Sequence, residues 1–433
     1  MNELAKELNG ILEKSSPAIL SMLSDYGKKI YFPKGIISQT AEAKEKATRF
    51  NATIGIAKDK NGPLFLDSIQ NFFKEDLPPG DLYPYAPSPG RQDLRQLWAK
   101  RQRLLNPLLK EASLSLPIVT SGLTHGLSLI GDLFLNAGDT ILTPDKIWGN
   151  YRLMWGVKNE ATFSTFSLYN DNLGFNLKGL ENSLKEREGQ KTLLVLNFPN
   201  NSTGYSPSKG EALEIRDILK NACEKGSTLT VLCDDAYFGM NYEEDCFTEG
   251  LFGLLQDLHQ NLLAVKIDGP TKELFVWGFR VGFLTFGIKG GTKEAYEALS
   301  KKVGGAIRGG ISNVTHVGQT LLLKALQDEK LETQIQNKVK ILKERYTEVK
   351  KYVSLDKYAD LWEAYPYNSG YFMCLRVKEV QAEDLRIHLL EQYNIGTIAL
   401  GKHDLRIAFS SLSKSDIKEF FECVAKAIED LRK

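Results

Sequence analysis

Residues 228–237, TLTVLCDDAY, contain a mostly apolar run that is followed directly by two aspartates, an alanine and a tyrosine. Such a run predicts a strand buried on both faces, as in a mainly parallel sheet. Similar runs recur at PIVT (117–120), DTILT (139–143), ATFSTFSLY (161–169), KTLLVLNF (191–198), NLLAVKID (261–268) and RVGFLTFG (280–287). Helical patterns lie between them, such as residues 206–226 with Ser206 or Ser208 as the cap. The sequence therefore predicts an α/β domain whose mainly parallel sheet lies between helices.

The chain is long enough for two domains, because single cores stop growing at about 250–300 residues and this chain has 433. Beyond residue 322 the pattern changes to a long charged helix (323–353), two strand-like runs (369–377 and 404–410) and a final helix (413–431). This predicts a smaller α+β domain at residues 323–433. Residues 1–74 show only helix and loop signals and are expected to join the small domain, which leaves residues 75–322 for the large domain.

The composition excludes several classes of protein. With 55 Lys and Arg against 54 Asp and Glu, the net charge is +1, so no strong field favours nucleic acid or an anionic membrane. Neither a signal peptide nor an apolar run long enough for a membrane span is present in the sequence. The five cysteines are scattered and odd in number, which predicts reduced thiols in the cytoplasm. No HExxH pair or Cys/His cluster supports a metal site.

Polar residues follow four of the apolar runs at the point where each predicted strand ends. SGLTHG (121–126), PNNSTG (199–204), DDAY (234–237) and DGPTK (268–272) bring a glycine turn, an asparagine, an aspartate with a tyrosine, and a lysine. Because ligands bind at the carboxyl ends of parallel strands, we expect these groups to meet at one edge of the sheet. One such motif alone is most often ordinary turn chemistry, but four at one edge indicate a site.

These residue types suit one cofactor, because each matches a different part of it. A lysine amine forms a Schiff base with an aldehyde, and a carboxylate keeps a pyridine nitrogen protonated. A glycine turn at a helix N-terminus binds phosphate through backbone N–H groups, and Arg280, the first residue of the last run, adds a bidentate phosphate contact. Aldehyde, pyridine and phosphate together describe pyridoxal 5′-phosphate (PLP). Lys272 is therefore predicted to hold this cofactor beside Asp234.

The same motifs, in order and spacing, resemble those of the fold type I, class I/II aminotransferases, a PLP-dependent family that includes aspartate aminotransferase. NNSTG resembles the family's asparagine–proline–threonine–glycine element with Ser202 in place of proline, and DDAY resembles its aspartate–x–alanine–tyrosine element. Lys272 and Arg280 have the spacing of its Schiff-base lysine and phosphate arginine. YAPSPG (85–90) and DLRIAFS (404–410) resemble its segments before the large domain and around a late arginine. The resemblance runs from about residue 50 to the C-terminus.

The resemblance implies a role for each matching residue around the cofactor. Lys272 would carry it as a Schiff base and later move a proton between the substrate Cα and the cofactor, while Asp234 would pair with the pyridine nitrogen. The other implied cofactor contacts are Tyr237 and Asn201 on the phenolic oxygen, Trp148 stacked on the ring, Gly122, Leu123, Thr124 and Arg280 around the phosphate, and Tyr85 reaching that phosphate from a partner subunit. The family usually has a serine three residues before the lysine, where this chain has Gly269. Thr271 is the candidate for the replacement hydroxyl.

The resemblance also implies substrate contacts. Arg406 would bind the α-carboxylate of the amino acid, helped by Asn201 and by the segment around Gly55. Arg308, in RGGISN (308–313), lies in a segment that resembles one crossing the dimer interface. In dicarboxylate-specific relatives an arginine there binds the distal carboxylate of aspartate or glutamate; an interface role without ligand contact is the alternative. Ser312 resembles the residue that reaches the partner's phosphate.

The predicted function is that of a homodimeric, cytoplasmic aminotransferase. It would move an amino group from an L-amino acid, with aspartate or glutamate as the first choice, to a 2-oxo acid through pyridoxamine phosphate. Two alternatives stay open: an aromatic or branched-chain aminotransferase, and a PLP lyase or synthase on the same fold, such as a C–S β-lyase. A PLP-binding transcription regulator is disfavoured because residues 1–50 show no helix-turn-helix pattern or basic stripe. A nucleotide-binding protein is disfavoured because no GxGxxG follows the first strand.

Overall fold

The computed structural model of the chain describes residues 1–15, 17–31, 36–53, 55–60, 62–74 and 77–433. Within these ranges the helices are α1 (Glu3–Ser15), α2 (Pro17–Met22), α3 (Asp25–Lys29), α4 (Ile36–Lys46), α5 (Asp67–Gln70), α6 (Pro79–Leu82), α7 (Gln92–Leu105), α8 (Gly122–Phe134), α9 (Leu177–Lys185), α10 (Lys209–Glu224), α11 (Phe252–Leu255), α12 (Pro270–Glu273), α13 (Lys293–Gly310), α14 (His316–Gln327), α15 (Leu331–Val353), α16 (Ala382–Tyr393) and α17 (Ile417–Leu431). The strands are β1 (Phe50–Asn51), β2 (Lys58–Asp59), β3 (Gly62–Pro63), β4 (Ile118–Thr120), β5 (Thr140–Pro144), β6 (Thr162–Phe166), β7 (Lys191–Asn197), β8 (Thr228–Asp234), β9 (Leu262–Asp268), β10 (Gly282–Ile288), β11 (Trp362–Ala364), β12 (Met373–Val377), β13 (Ile395–Gly396), β14 (Ile398–Leu400) and β15 (Asp404–Ile407). None of the helices in the described ranges is long and apolar enough to cross a bilayer.

The larger part of the molecule is built on a seven-stranded sheet with the strand order β4-β10-β9-β8-β7-β5-β6. The pairs β5/β6, β5/β7, β7/β8 and β8/β9 are parallel. Strand β10 is antiparallel to both of its neighbours, β4 and β9, so it runs against the rest of the sheet. The prediction of an α/β fold with a mainly parallel sheet is confirmed.

Helices cover both faces of this sheet because its strands are apolar on both sides. Along β8, Val231 and Cys233 pack into a cluster with residues of α9 and α10, whereas Leu232 between them packs with residues of α8 and α13. This follows from strand geometry, since successive side chains point to opposite faces. Helix α10 begins at a capping box, in which Ser208 N donates to a Glu211 carboxylate oxygen at 2.7 Å and Glu211 N donates to Ser208 Oγ at 3.3 Å.

The smaller part of the molecule is built on a four-stranded antiparallel sheet with the order β11-β12-β15-β14. Part of the N-terminal segment packs with it, because β1 pairs in parallel with β13 and Glu42 of α4 binds Arg386 Nη1 of α16 at 2.9 Å. The domain limits inferred from the sequence, 1–74, 75–322 and 323–433, stay predictions. The first of them falls at residue 75, which lies outside the described residues.

Two local predictions are wrong. The segment 323–353, predicted as one helix, is divided between α14 and α15. The division lies at Asp328, which leaves the helical conformation (φ −77°, ψ 118°) and accepts at Oδ1 from Lys330 N at 2.9 Å. The N-terminal segment, expected to hold only helices and loops, also contains β1 and the antiparallel pair β2–β3. These strands have two residues each, which is too short for a strand pattern to show in a sequence.

The strand directions bring several chain segments to one edge of the large sheet. Strands β4, β7, β8 and β9 end at this edge and the reversed β10 begins there, at Thr120, Asn197, Asp234, Asp268 and Gly282 respectively. Lys272 and Arg280 lie between β9 and β10 on the chain, so both are held at the same edge as Asp234. The two cations therefore lie at the ends of two neighbouring buried strands.

The turn at Gly204 connects the large sheet to the loop 368–372 of the smaller part and tolerates no side chain. Gly204 has φ 77°, and a Cβ there would lie 2.0 Å from the Phe372 carbonyl oxygen. We expect Gly204→Ala to cost more than about 2 kcal/mol of stability, because the backbone of another segment must move. Calorimetric unfolding of the purified protein measures the effect as a lowered melting temperature.

Gly226→Ala is the matched control for this substitution. Gly226 also has a positive φ, 95°, but a Cβ there would meet no atom within 4 Å. Only backbone strain of about 1 kcal/mol applies, so its melting temperature should fall less. Equal falls for the two variants would show that the contact with Phe372 has no energetic weight.

Candidate active site

A cavity of about 350 Å³ lies at the edge of the large sheet where its parallel strands end. Nine of the residues predicted to form the site line it: Gly55, Leu123, Thr124, Trp148, Asn201, Asp234, Tyr237, Lys272 and Arg406. Residues of the large sheet, of the small sheet and of the N-terminal segment therefore meet around one space. Its volume lies within the usual range for small-molecule sites, about 300–1,000 Å³.

Lys272 reaches the cavity from α12, which follows β9 directly and has Pro270 at its first position. Its Nζ lies 5.0 Å from the centre of the Tyr237 ring. Burial lowers the pKa of the Lys272 amine to about 8; the charge of Asp234 opposes this shift and that of Arg280 adds to it. About a tenth of this amine is therefore neutral at pH 7, against less than about a thousandth of an ordinary lysine, and the neutral form is the nucleophile.

Asp234 ends β8 and is buried at the cavity wall. Its Oδ2 accepts a hydrogen bond from the Tyr151 hydroxyl, and its Oδ1 accepts from Ala236 N at 3.2 Å. Burial raises the pKa of Asp234, while the Tyr151 hydrogen bond and the Lys272 charge act against the rise. The neighbouring Asp235 instead forms an ion pair with buried Lys266, because consecutive residues of an extended chain point in opposite directions.

Tyr151 is a site residue that the sequence analysis missed. It lines the cavity, stacks on Trp155 with ring centres 4.9 Å apart, and stands edge-on to Trp148 at 5.6 Å. The available signal was the spacing of three residues between Trp148 and Tyr151 in DKIWGNY, which puts both on one side of a helical turn. A six-residue π-helix, Arg152–Val157, follows directly.

Arg406 on β15 enters the cavity from the small sheet and is buried. Its Nη1 donates to Asn201 Oδ1 at 3.0 Å, its Nη2 donates to the Thr53 carbonyl at 2.9 Å, and its guanidinium lies 4.4 Å from the centre of the Phe372 ring. Burial lowers the pKa of Arg406 to about 10. Within the described part of the chain it has no carboxylate partner, so the site presents a buried cation to an incoming anion.

Asn197 is a second residue that the sequence analysis missed. It ends β7, where its Oδ1 accepts from Asn201 N at 2.8 Å and its Nδ2 donates to the Asp234 carbonyl at 2.9 Å. It thereby joins two neighbouring strand ends and holds the turn that carries Asn201. The signal was its position as the last residue of an apolar run, followed at once by PNNSTG.

Gly122 and Arg280 pack against each other at the N-terminus of α8, which we call the phosphate wall; they lie next to Leu123 and Thr124 and do not line the cavity themselves. Gly122 has φ 73°, and a Cβ on it would lie 2.2 Å from Arg280 Nη2, so the guanidinium packs directly on the glycine backbone. The described residues provide no side-chain cap for α8, which leaves its first N–H groups available for an anion. Thr271 Oγ1, one residue before Lys272, is buried and has no hydrogen-bond partner among the described residues.

The glycine at position 269, where the resemblance leads one to expect a serine, has a steric reason. A Cβ on Gly269 would lie 3.0 Å from the Gly282 Cα and 3.1 Å from Leu123 Cδ1. Strands β9 and β10 approach each other closely at this point, so a serine would require both neighbours to shift. The unpartnered hydroxyl of Thr271 remains as the nearby donor.

Besides Gly122, Thr271 and Arg280, three predicted residues do not line the cavity of the single chain: Tyr85, Arg308 and Ser312. Tyr85 is 88% exposed. Arg308 is exposed on the last turn of α13, and its Nη1 donates to Ser312 Oγ at 2.7 Å. The exposed positions of Tyr85 and Arg308 agree with the expectation that they act on a second copy, and the roles of Tyr85, Arg308 and Ser312 stay predictions.

The residues around the cavity fit PLP by their donor set. The amine of Lys272 suits an aldehyde, the buried carboxylate of Asp234 suits a pyridine nitrogen, and the indole of Trp148 supplies an aromatic wall. The uncapped start of α8, with Arg280 against Gly122, suits a phosphate. The unpartnered Thr271 hydroxyl adds a donor for the same group.

Solved structures of known proteins share this architecture. An aminotransferase from Anaerococcus prevotii superposes with a TM-score of 0.83 at 24% sequence identity, covering 94% of this chain and 98% of that one. Kynurenine aminotransferase from Pyrococcus horikoshii superposes with a TM-score of 0.79 at 16% identity, covering 96% of this chain and 99% of that one. The fold is therefore that of the fold type I PLP-dependent transferases, as the sequence motifs predict.

The sequence comparison narrows this class to a family. The profile of the family described as aminotransferase class I and II matches residues 66–424, and the chain belongs to this family of PLP-dependent transferases. Aspartate aminotransferase from Bacillus sp. (strain YM-2) is 23% identical over 264 residues, which are 59% of this chain and 62% of that protein. The chain thus spans less than two thirds of the length of that relative.

Gly122 offers a test of the phosphate wall. We expect Gly122→Ala to weaken PLP binding by more than about tenfold, because the new methyl group displaces the Arg280 guanidinium and loses a charged hydrogen bond. Gly126→Ala, in the same helix, is the control, since a Cβ there would make ordinary contacts of 3.4–3.5 Å. Titration of the apoproteins with PLP, followed by visible absorption, measures both. Unchanged affinity for PLP in Gly122→Ala would show that Arg280 does not contribute to phosphate binding.

The lowered pKa of Lys272 predicts an unusual pH profile for aldehyde addition. The neutral amine is the reactive form, so the rate at which the apoprotein takes up pyridoxal should rise with pH and level off above the pKa of about 8. An ordinary lysine continues to gain reactivity up to about pH 10.4. N-α-acetyl-lysine in the same buffers is the control, because ionisation of pyridoxal affects both reactions equally. Identical profiles would mean that the Lys272 amine is not perturbed.

Proposed function

We propose that this protein is an aminotransferase that uses PLP to move an amino group from an L-amino acid to a 2-oxo acid. The proposal depends on one cavity that contains Lys272, Asp234 and Arg406, a cation that has no carboxylate partner among the described residues. The first two suit the aldehyde and the ring nitrogen of the cofactor, and the third suits the α-carboxylate of a substrate.

The residues that would hold the aldehyde and the ring of the cofactor have distinct roles in this proposal. PLP, when bound, supplies an aldehyde for the amino group and a protonated pyridine ring that withdraws electrons from the substrate Cα. Lys272 Nζ holds the aldehyde and, with a pKa lowered to about 8, accepts and returns a proton at the substrate Cα. The Asp234 carboxylate holds the proton of the ring nitrogen, and Tyr151 orients that carboxylate. Tyr237 and Asn201 bind the phenolic oxygen.

The remaining residues bind the phosphate, cover the ring and orient the substrate. Backbone N–H groups of Gly122, Leu123 and Thr124, together with Arg280 and the Thr271 hydroxyl, hold the phosphate, and Trp148 covers the ring. Arg406 orients the α-carboxylate with help from Asn201. Gly55 closes the cavity without filling it: a Cβ there would lie 3.2 Å from Phe372 Cζ and 3.6 Å from the Tyr237 hydroxyl.

We infer that two copies of the chain form a homodimer with shared active sites in the cytoplasm. Tyr83 and Tyr85 are 81% and 88% exposed, and two exposed tyrosines two residues apart suit an interface. In the dimer, Tyr85 and Ser312 of one copy would reach the phosphate bound by the other. All five cysteines are free thiols and buried, as suits a reducing compartment.

Aspartate or glutamate is the amino donor that we propose first. Among the described residues, the cations that line the cavity of the single chain are Lys272 and Arg406. Lys272 holds the cofactor and Arg406 binds the α-carboxylate, so neither is available for a second carboxylate. A dicarboxylic substrate therefore needs Arg308 from the second copy. The Bacillus sp. relative bears the name aspartate aminotransferase, whereas the kynurenine aminotransferase of Pyrococcus horikoshii shows that the same fold serves an aromatic donor.

The decisive experiment follows keto-acid formation and conversion of the cofactor to its aminated form across a panel of donors: aspartate, glutamate, phenylalanine, leucine and cysteine. We expect Lys272→Ala to lose at least about a thousandfold in turnover with every donor, because the proton carrier is gone. We expect Arg308→Ala to raise KM for aspartate and glutamate by about tenfold or more, with phenylalanine and leucine as internal controls.

The outcomes separate the alternatives. Pyruvate and ammonia from cysteine, without amination of the cofactor by any donor, would replace the aminotransferase by a lyase. An unchanged KM for aspartate in Arg308→Ala would remove this arginine from the substrate site and leave the aminotransferase intact. A preference of the parent protein for phenylalanine or leucine would favour the aromatic or branched-chain alternative.

A further inference from the structure

An ion pair between Lys146 and Asp404 crosses from the large sheet to the small sheet beside the cavity. Lys146 follows β5 and Asp404 begins β15; Lys146 Nζ and Asp404 Oδ2 lie 2.6 Å apart, with side chains only 20% and 15% exposed. The Tyr365 hydroxyl donates to Asp404 Oδ1 at 2.9 Å, and Lys146 Nζ lies 4.9 Å from the centre of the Tyr365 ring. Both oxygens of Asp404 are therefore bound, which fixes its rotamer.

The two residues stand two positions away from two residues of the proposed site. Lys146 precedes Trp148 by two residues, and Asp404 precedes Arg406 by two. On a strand, residues two apart point to the same face of the sheet. In the β12–β15 pair, Asp404 lies opposite Arg376 and Arg406 lies opposite Cys374. A shift of β15 that breaks the ion pair must therefore also move the Arg406 guanidinium.

Hydrogen bonds close these contacts into a ring across the boundary between the sheets. On the side of the small sheet, Asp404 and Arg406 are joined through β15. Arg406 Nη1 reaches Asn201 Oδ1 at 3.0 Å, and the neighbouring Asn200 Nδ2 donates to the Lys146 carbonyl at 3.0 Å. Lys146 Nζ returns to Asp404. Each contact thus limits the freedom of the next one, which is the condition for energetic coupling.

We propose that the Lys146–Asp404 ion pair, with Tyr365, is an interdomain latch that sets the position of Arg406 relative to the cofactor side of the cavity. Lys146 and Asp404 are positioning residues, because neither is among the residues that line the cavity. The inference rests on the proposed function in that Arg406 binds the substrate carboxylate. The latch favours carboxylic substrates that bridge the two sheets, because it aligns Arg406 before the substrate arrives.

The test uses the holoenzyme and separates substrate affinity from chemistry. Lys146→Met keeps the aliphatic stem and removes the charge, while Asp404→Asn removes the charge and retains an acceptor for Tyr365. We expect each to raise KM for the amino donor about tenfold, with kcat within about twofold and PLP affinity unchanged. A 2-methyl amino acid, which has no Cα proton and so binds without reacting further, should show the same tenfold loss by its change in cofactor absorption.

Three further variants serve as controls. Lys146→Arg retains the charge and should restore parental KM. Lys191→Met removes an ion pair of similar length, 2.5 Å to Asp139, that lies wholly on the large sheet, and should change nothing. The double variant Lys146→Met with Asp404→Asn should lose less than the product of the single losses, because both remove the same interaction.

Hydrogen exchange supplies a readout that needs no substrate. Backbone amides of β15 should exchange faster in Lys146→Met than in the parent and in Lys191→Met. Unchanged exchange in β15, or equal losses in kcat and PLP affinity, would overturn the latch. If the parent protein neither forms keto acid nor binds the 2-methyl amino acid, the proposed function fails, and β15 exchange still decides whether Lys146 holds the two sheets together.

Discussion

The candidate active site depends on the enclosure of an amine, Lys272, and a carboxylate, Asp234, in one cavity at the edge of the large sheet. Lys272 loses hydration there and its pKa falls to about 8, while burial pushes the pKa of Asp234 upward. The sheet enforces this meeting because β8 and β9 are adjacent and parallel, and both end at the same edge. The surrounding groups follow from the same edge: Arg280 precedes the reversed β10, and Asn197 ends β7. Electrostatics at the site is thus a consequence of strand order.

The features that the sequence predicts are those that depend on local pattern. The apolar runs and the polar residues at their ends are contiguous in the chain, so Lys272, Asp234 and Arg280 could be found together with the fold. Tyr151 and Asn197 were missed because the role of each depends on Asp234, which is distant from both in the chain. The break at Asp328 depends on one backbone conformation that helical periodicity does not reveal.

Local contacts explain the two positions at which this chain departs from the family pattern. Gly269 stands where two strands leave no room for a hydroxymethyl group, and the hydroxyl of Thr271 lies nearby without a partner. Ser202, in place of proline, donates through its backbone N–H to Asn200 Oδ1 at 3.0 Å, a bond that proline could not make. The change at position 202 is thus balanced by a contact within its own turn, whereas the change at position 269 leaves the Thr271 hydroxyl as a donor available to a ligand.

The smaller part of the molecule is assembled from both ends of the chain, and this determines when it can form during synthesis. Phe50 pairs with Ile395, Glu42 binds Arg386, and Arg49 binds Glu419. On the ribosome, residues 36–53 emerge hundreds of residues before these partners, while the large sheet is complete by Ile288. The early segment therefore remains without these contacts through most of translation, and the smaller part can complete its fold only after the last helix has been synthesised.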